Sequence, residues 1–315
     1  CEGFSKNTRK WVIGISYEER FLHLHAVLST NYRAFVRLLE WDPELISIYK
    51  ASESEISAIL QLNSRQSERM FEWLKRSDQA VYKEQLENAG IQTIFRHNPY
   101  YPPLLNAIYD PPHILYTKGN LEILKTKKIA VVGTRTPTKY SKDALAIVTP
   151  TIIEAGITIV SGLARGVDGL AHYNAIAHKG FTIAVTACGF DTVYPPEHQT
   201  LFQSISSHHL LVSEYPPFVK PKKWHFPARN RLISGMSYAT IIIEAKRKSG
   251  SLITADLALE QGREVFAVPG NISSSESSGT NWLISQGACC LYSKNTLKET
   301  LPIFLSKDSE PSDFI

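Results

Sequence analysis

The spacing of hydrophobic positions changes once along this chain. From Glu18 to about Gly90, apolar residues recur every three or four positions: Phe21, Leu24, Val27 and Leu28, then Phe35, Leu38 and Leu39, then Ile56, Ile59 and Leu60, then Met70, Phe71 and Leu74. That period predicts amphipathic helices, and Ser52 followed by Glu55 predicts a capping box at the start of one. From Lys127 onward, short apolar runs replace the stripes, at residues 129–132, 157–160, 182–186, 210–213, 240–244, 264–268 and 288–292. Gaps of roughly 20–30 residues leave room for a helix between most neighbours, which predicts a doubly wound, mostly parallel α/β sheet behind a small all-helical domain.

Between the two patterns lies a stretch dense in Pro99, Pro102, Pro103, Pro111 and Pro112, interleaved with Tyr100, Tyr101, Tyr109, His113 and Tyr116. Proline at this density forbids long helices and favours an extended, packed linker. The expected organisation is a helical domain over 18–90, a connector over 91–126, a sheet domain over 127–305 and a disordered tail over 306–315. No run of about 18 apolar residues occurs, so no membrane span is expected. The N-terminus shows no secretion signal. Cys1, Cys188, Cys289 and Cys290 form no CxxC pair, which fits a reduced, cytoplasmic setting.

Charge changes the picture only where it clusters. The whole chain carries a formal +4, yet residues 220–250 hold eight bases against Glu244 alone. Local excess of one sign is what attracts a polyanion. The helical region, with twelve acids and nine bases from Glu18 to Gly90, is a poor candidate for that surface. Within the basic stretch, Trp224 and Phe226 sit among Lys223, Arg229, Asn230 and Arg231, and a second cluster, Lys246, Arg247 and Lys248, precedes Ser249-Gly250-Ser251 at an expected helix start. Cations, flat aromatics and a Ser/Gly helix start are what holding a phosphate backbone and stacking its bases requires. For Lys220 and Lys222, where nothing else converges, a solvated loop is the alternative explanation of the charge.

In doubly wound sheets ligands bind beyond the carboxyl ends of the strands. One strand ends in Gly133-Thr134-Arg135, and the next in Ser161-Gly162, with Arg165, Gly166 and Asp168 following. Glycines there let backbone amides approach a ligand, and the arginines supply charge. Neither GxGxxG nor GxxxxGK[ST] occurs, so dinucleotide binding and P-loop hydrolysis lack their usual support, and no cofactor is expected. Asp168, His172 and Glu244 are the candidates for catalysis. Each also has a structural role open to it: an N-cap, a packed helix position and a buried partner for an arginine. No nucleophile–base spacing or metal-ligand set completes a site, so neither catalytic residues nor a metal are expected.

The ordered motifs VVGTR, SGLARGVDGLAH, DTVYPPEH, SEYPP, HFPARNRLISG, EAKRKSGSLITA, GREVFAVPG and SGTNWLISQGA resemble the DprA/Smf (DNA processing protein A) family from Lys127 to about Leu301. The resemblance implies a Rossmann-like sheet domain after a SAM-like helical one, and single-stranded DNA passed to the RecA recombinase in natural transformation. It also implies a homodimer. The basic DNA pocket of that family maps onto Arg135, Lys223, Phe226, Arg229 and Arg231, with the turns at Gly162 and Ser249-Gly250-Ser251 alongside. Three departures stand out. The family's glycine-containing helix–hairpin–helix turn reads LSTNYRAF here, no winged-helix segment follows the sheet, and His198 replaces the usual Asn of YPPEN. Trp282, Leu283, Ile284 and the run at 288–292 are candidates for the dimer contact, with burial inside the subunit as the alternative. The rival function is an enzyme or sensor of a small nucleotide. A basic stretch flanked by aromatics exceeds what one nucleotide needs.

Overall fold

The structure, a computed structural model, describes residues 15–305; the expected tail over 306–315 lies outside them. Two compact units divide the chain, Cys1–Gln92 and Thr93–Ile315. The first is built from α1 (Tyr17–Leu28), α2 (Tyr32–Trp41), α3 (Glu53–Leu60), α4 (Ser64–Arg76) and α5 (Gln79–Asn88). The expected Ser52–Glu55 capping box is present, and Ser16–Glu19 and Asn63–Gln66 form two more. Each pairs a side chain with an otherwise orphaned backbone N–H at the helix start. Leu24, Leu38, Leu45, Ile56, Leu60 and Met70 make the fully buried interior of this unit.

The second unit is organised on a nine-stranded sheet. Its elements run β1 (Gln92–Phe95), α6 (Pro103–Asn106), β2 (Ile114–Gly119), β3 (Lys128–Val132), α7 (Lys139–Glu154), β4 (Thr158–Ser161), α8 (Val167–Ala177), β5 (Thr182–Val185), α9 (Gln199–His208), β6 (Leu210–Ser213), α10 (His225–Gly235), β7 (Ala239–Ile242), α11 (Gly250–Glu260), β8 (Glu264–Ala267), α12 (Ser278–Ser285), β9 (Cys289–Cys290) and α13 (Lys294–Leu305). All seven expected strands are present. The proline-rich stretch, expected to be linker alone, supplies two more. β2 carries a continuous buried run from Ile114 to Thr117, and it pairs antiparallel with β6, Tyr116 opposite Ser213.

Strand order is β1-β2-β6-β5-β4-β3-β7-β8-β9, parallel from β6 through β9. From β3 the chain steps outward through β4, β5 and β6, then returns through α10 to β7 on the other side of β3. The reversal leaves a crevice between β3 and β7, the topological switch point. Side chains alternate across the sheet. Ala130, Val132 and Ile242 pack with Leu232, Ile233, Leu252 and Ala255 of α10 and α11. Ile129, Val131, Ile241 and Ile243 pack on the opposite face with Leu145, Val148, Val167 and Ala171 of α7 and α8. Burial on both faces explains why these strands read as unbroken apolar runs. Leu283 is buried in the α10/α11 core, with Trp282 and Ile284 packed against it.

Candidate nucleic-acid interface

A cleft of about 680 Å³ opens at this crevice. Its β3 side is Gly133, Thr134, Arg135 and Thr136; its β7 side is Lys246, Lys248, Ser249, Gly250 and Ser251; Lys223, Phe226, Arg229 and Asn230 of the α10 region close a third side. Sequence elements more than a hundred residues apart thus meet because strand ends β3 and β7 are neighbours, with Val132 opposite Ile242.

Arg135 and Lys223 are exposed in the cleft, and neither has a carboxylate partner among the described residues. The Arg135 guanidinium carbon lies 5.7 Å from the centre of the half-buried Phe226 ring. Tyr194, which lines the same wall, has its ring centre 5.3 Å from that of Phe226 at an interplanar angle of 60°. A cation and two rings at this spacing can hold an anion beside a flat aromatic group.

On the opposite wall, Ser249 caps α11 without a hydrogen bond from its side chain, and no acidic residue occupies the first turn of that helix. The Ser249 hydroxyl is buried without a partner among the described residues. The start of α11 therefore presents open amides and an uncompensated positive pole to the cleft.

Arg229 has a different role from Arg135. It is 4% exposed, and its Nη1 donates to the carbonyl oxygens of Gly162 and Val185 at the ends of β4 and β5. Asp168 faces it. Burial raises the Asp168 pKa, opposed by Arg229, by the amides of Ala164 and Gly162, and by Arg135. Burial likewise lowers the Arg229 pKa, opposed by Asp168. Arg229 is a structural floor whose edge reaches the cleft, and Asn230 beside it accepts from Arg229 Nε at 3.2 Å.

Arg231 does not line the cleft. On α10 it points away from its neighbours, and its Nη2 donates to Glu214 at 2.6 Å with Asp110 at 3.5 Å from Nε. Residues 229 and 231 are two apart on a helix, so they cannot share a face; the FPARNR run lies within α10. Arg165 also stands outside the lining residues, exposed and paired with Glu197. Ser161 is buried and donates to the Val131 carbonyl, tying β4 to β3.

Two glycines set the approach of the turns. Gly166 has φ +81°, and a Cβ there would fall 2.7 Å from the Arg135 Cα, so the turn after β4 lies against the turn after β3. At Gly162 a Cβ would fall 2.6 Å from the Arg229 Cζ.

The catalytic candidates are each engaged separately. Among the described residues Glu244 pairs with no arginine: its carboxylate accepts the Thr138 amide at 3.1 Å and the hydroxyls of Thr138 and Ser141, capping α7. Asp168 sits inside the first turn of α8, whose N-cap is Gly166. His172 is buried, with Nδ1 2.7 Å from the Thr182 hydroxyl. Among the described residues no group of three or more His, Cys, Asp or Glu is arranged to hold a metal ion, and no helix is long and apolar enough to cross a membrane. Sequence reasoning missed Tyr194; it read Lys246 and Lys248 as part of the basic face without naming them among the DNA-binding residues. The signal for the first was an aromatic directly before Pro195-Pro196 in the loop after β5.

A cleft of cations, rings and open helix amides thus lies at the switch point of a doubly wound, Rossmann-like sheet. Residues 92–302 match the family model described as DNA recombination-mediator protein A, and the chain belongs to that family. It is 50% identical over 224 residues to DNA processing protein DprA of Bacillus subtilis, covering 71% of this chain and 74% of that one. Protein Smf of Escherichia coli is 38% identical over 288 residues, covering 90% and 75%. Among solved structures, DNA processing protein A of Streptococcus pneumoniae aligns with TM-score 0.75 at 34% identity over 90% of this chain and 98% of that chain. The Helicobacter pylori protein, solved for its single-stranded DNA binding mode, aligns with TM-score 0.61 at 34% identity over 70% and 97%. The resemblance read from the eight motifs is borne out, as is the α/β fold.

Proposed function

We propose that this protein binds single-stranded DNA in the switch-point cleft, without catalysing a reaction on it, and delivers the strand to the RecA recombinase in transformation or recombination. The observation that carries the reading is the convergence of Arg135, Lys223, Lys246 and Lys248 with the Phe226–Tyr194 rings and the open start of α11 on one concave surface. Backbone phosphates are held by the cations and amides, and a base stacks on the rings. A concave cleft assembled from turns suits a flexible strand with unstacked bases. Among the described residues no helix projects from the cleft as a reading head for a major groove. Relatives named for DNA processing, and one solved for its single-stranded DNA binding mode, support the same reading.

The protein acts in the cytoplasm as a homodimer joined near the β9 edge. There a second groove of about 140 Å³ is lined by Tyr140, Ile147, Val268, Leu291 and Tyr292. Ile147 is 52% and Tyr292 75% exposed, at an otherwise open sheet edge.

Competition binding tests the reading. Labelled oligo(dT) is expected to bind more tightly than blunt duplex of the same length, and mononucleotide is expected to compete poorly. Equal affinity for duplex, or efficient displacement by a mononucleotide, overturns it. RecA filament assembly on DNA coated with a single-strand-binding protein tests the delivery step, with acceleration by this protein as the expected result.

A further inference from the structure

Lys246 and Thr134 face each other across the β3–β7 crevice, and both line the cleft. Both are turned toward one carboxylate. Glu276 Oε1 lies 2.8 Å from Lys246 Nζ, and its Oε2 lies 3.5 Å from the Thr134 hydroxyl. The Glu276 side chain is 17% exposed, the Lys246 side chain 56%. A surface ion pair by itself contributes little. Here the two oxygens of one anion are taken by two separate donors of the cleft wall, an ammonium and a hydroxyl, as a phosphate's oxygens would be.

The segment carrying Glu276 is held in place. The Gly279 amide donates to the Ala245 carbonyl at 2.7 Å, and the Arg247 amide to the Ser278 hydroxyl at 3.3 Å. Asn281 closes the far end with paired bonds to Gly270 at 3.1 and 3.0 Å. The carboxylate is thus fixed against the loop after β7 by the chain that follows it.

We propose that Lys246 and Thr134 form a further phosphate subsite of the cleft, and that Glu276 occupies it internally in the DNA-free protein. An arriving phosphate displaces the carboxylate from Lys246, and the freed carboxylate takes up a cation from solution. That uptake offsets the counterion the phosphate releases, so this subsite adds little to the net salt dependence. Glu276 thereby sets the affinity of the β7 side of the cleft below what its charge would give, which leaves the strand releasable. The inference rests on the proposed single-stranded DNA binding.

The test is fluorescence anisotropy with labelled oligo(dT) across a salt series, using the full chain, Glu276→Gln, Lys246→Ala, Lys223→Ala and the Glu276→Gln/Lys246→Ala double variant. Glu276→Gln keeps an acceptor for the Thr134 hydroxyl and removes the charge. It is expected to bind several-fold more tightly at low salt, with a logarithmic salt slope steeper by about 0.7. Lys246→Ala alone is expected to weaken binding by a smaller factor than Lys223→Ala, because this lysine already pairs with Glu276 in the DNA-free protein. In the double variant the gain disappears. Wild-type affinity and slope in Glu276→Gln overturn the inference, as does a Lys246→Ala loss equal to that of Lys223→Ala. The Lys246→Ala comparison stands even where thermal melts show Glu276→Gln to be unfolded. Absence of oligo(dT) binding by the wild-type chain would instead sink the functional reading itself.

Discussion

The Arg229 guanidinium occupies the space that a side chain at residue 162 would need, and it donates to the carbonyl oxygen of Gly162 itself. One residue therefore explains both a glycine in the turn after β4 and a buried cation on α10. Arg229→Ala leaves Asp168 buried without its counter-charge, and a loss on the order of 3–5 kcal/mol is expected from the denaturant midpoint. Gly162→Ala is expected to cost about 1–3 kcal/mol by overpacking. Wild-type stability in Arg229→Ala would return Arg229 to the role of a simple phosphate ligand.

Arg135 and Phe226 are separable by their salt response. Arg135→Ala is expected to weaken binding of all single-stranded sequences alike and to make the logarithmic salt slope shallower by about 0.7. Phe226→Ala is expected to cost about 1–3 kcal/mol of binding with the slope nearly unchanged. Tyr194→Ala should follow Phe226→Ala, since the two rings form one platform. Thermal melts run alongside distinguish lost stacking from lost packing.

For Arg231 the expected loss is in stability. Its pairing with Glu214 and Asp110 lies away from the cleft, and both Arg231 and Glu214 have side chains at most 20% exposed. Arg231→Ala is expected to destabilise the sheet unit by about 3 kcal/mol while leaving the salt slope of DNA binding unchanged. A shallower slope with an unchanged melting temperature would put Arg231 on the DNA after all.

Acid should destabilise the fold through His172. Burial holds its imidazole down at about 3, while an unfolded histidine titrates near 6.5. Below about pH 6.5 the unfolded chain takes up a proton that the folded chain refuses, so stability falls as pH drops toward the folded value, by at most about 1.4 kcal/mol per pH unit for this group. Denaturant midpoints measured from pH 7.5 downward check this, with His172→Gln expected to flatten the profile over that window.

At the β9 edge, Ile147→Lys with Tyr292→Lys places charge in the exposed groove without touching the buried core. Light scattering is expected to report a dimer for the wild type and a monomer for this variant, with oligo(dT) affinity retained per subunit. A wild-type monomer at micromolar concentration removes the dimer.

The strands were legible because a doubly wound sheet buries both faces, and a short unbroken apolar run such as Ile129–Val132 is what burial on two faces demands. β2 was not, because Pro111 and Pro112 precede a strand whose antiparallel partner, β6, lies almost a hundred residues later, a pairing that no local pattern encodes. Within the site, Arg135 and Lys223 were readable from strand ends and charge. Arg229 and Arg231 looked alike as letters, and the helical turn of α10 sent one to the floor of the cleft and the other to Glu214. Tyr194 and Glu276 reach the cleft neighbourhood from loops whose position depends on tertiary packing alone.

The caps on the helices around the crevice give the cleft a direction. Four helices, α7, α8, α10 and α11, begin beside it. Glu244 discharges the positive pole of the first and Asp168 that of the second, each from within the protein. The first turns of α10 and α11 hold no acidic residue, and both poles stay open. The field across the opening is therefore lopsided, strongest on the side of these two helix starts and quenched toward Thr138. An anion entering the cleft would be drawn first to the side of these open helix starts and away from α7.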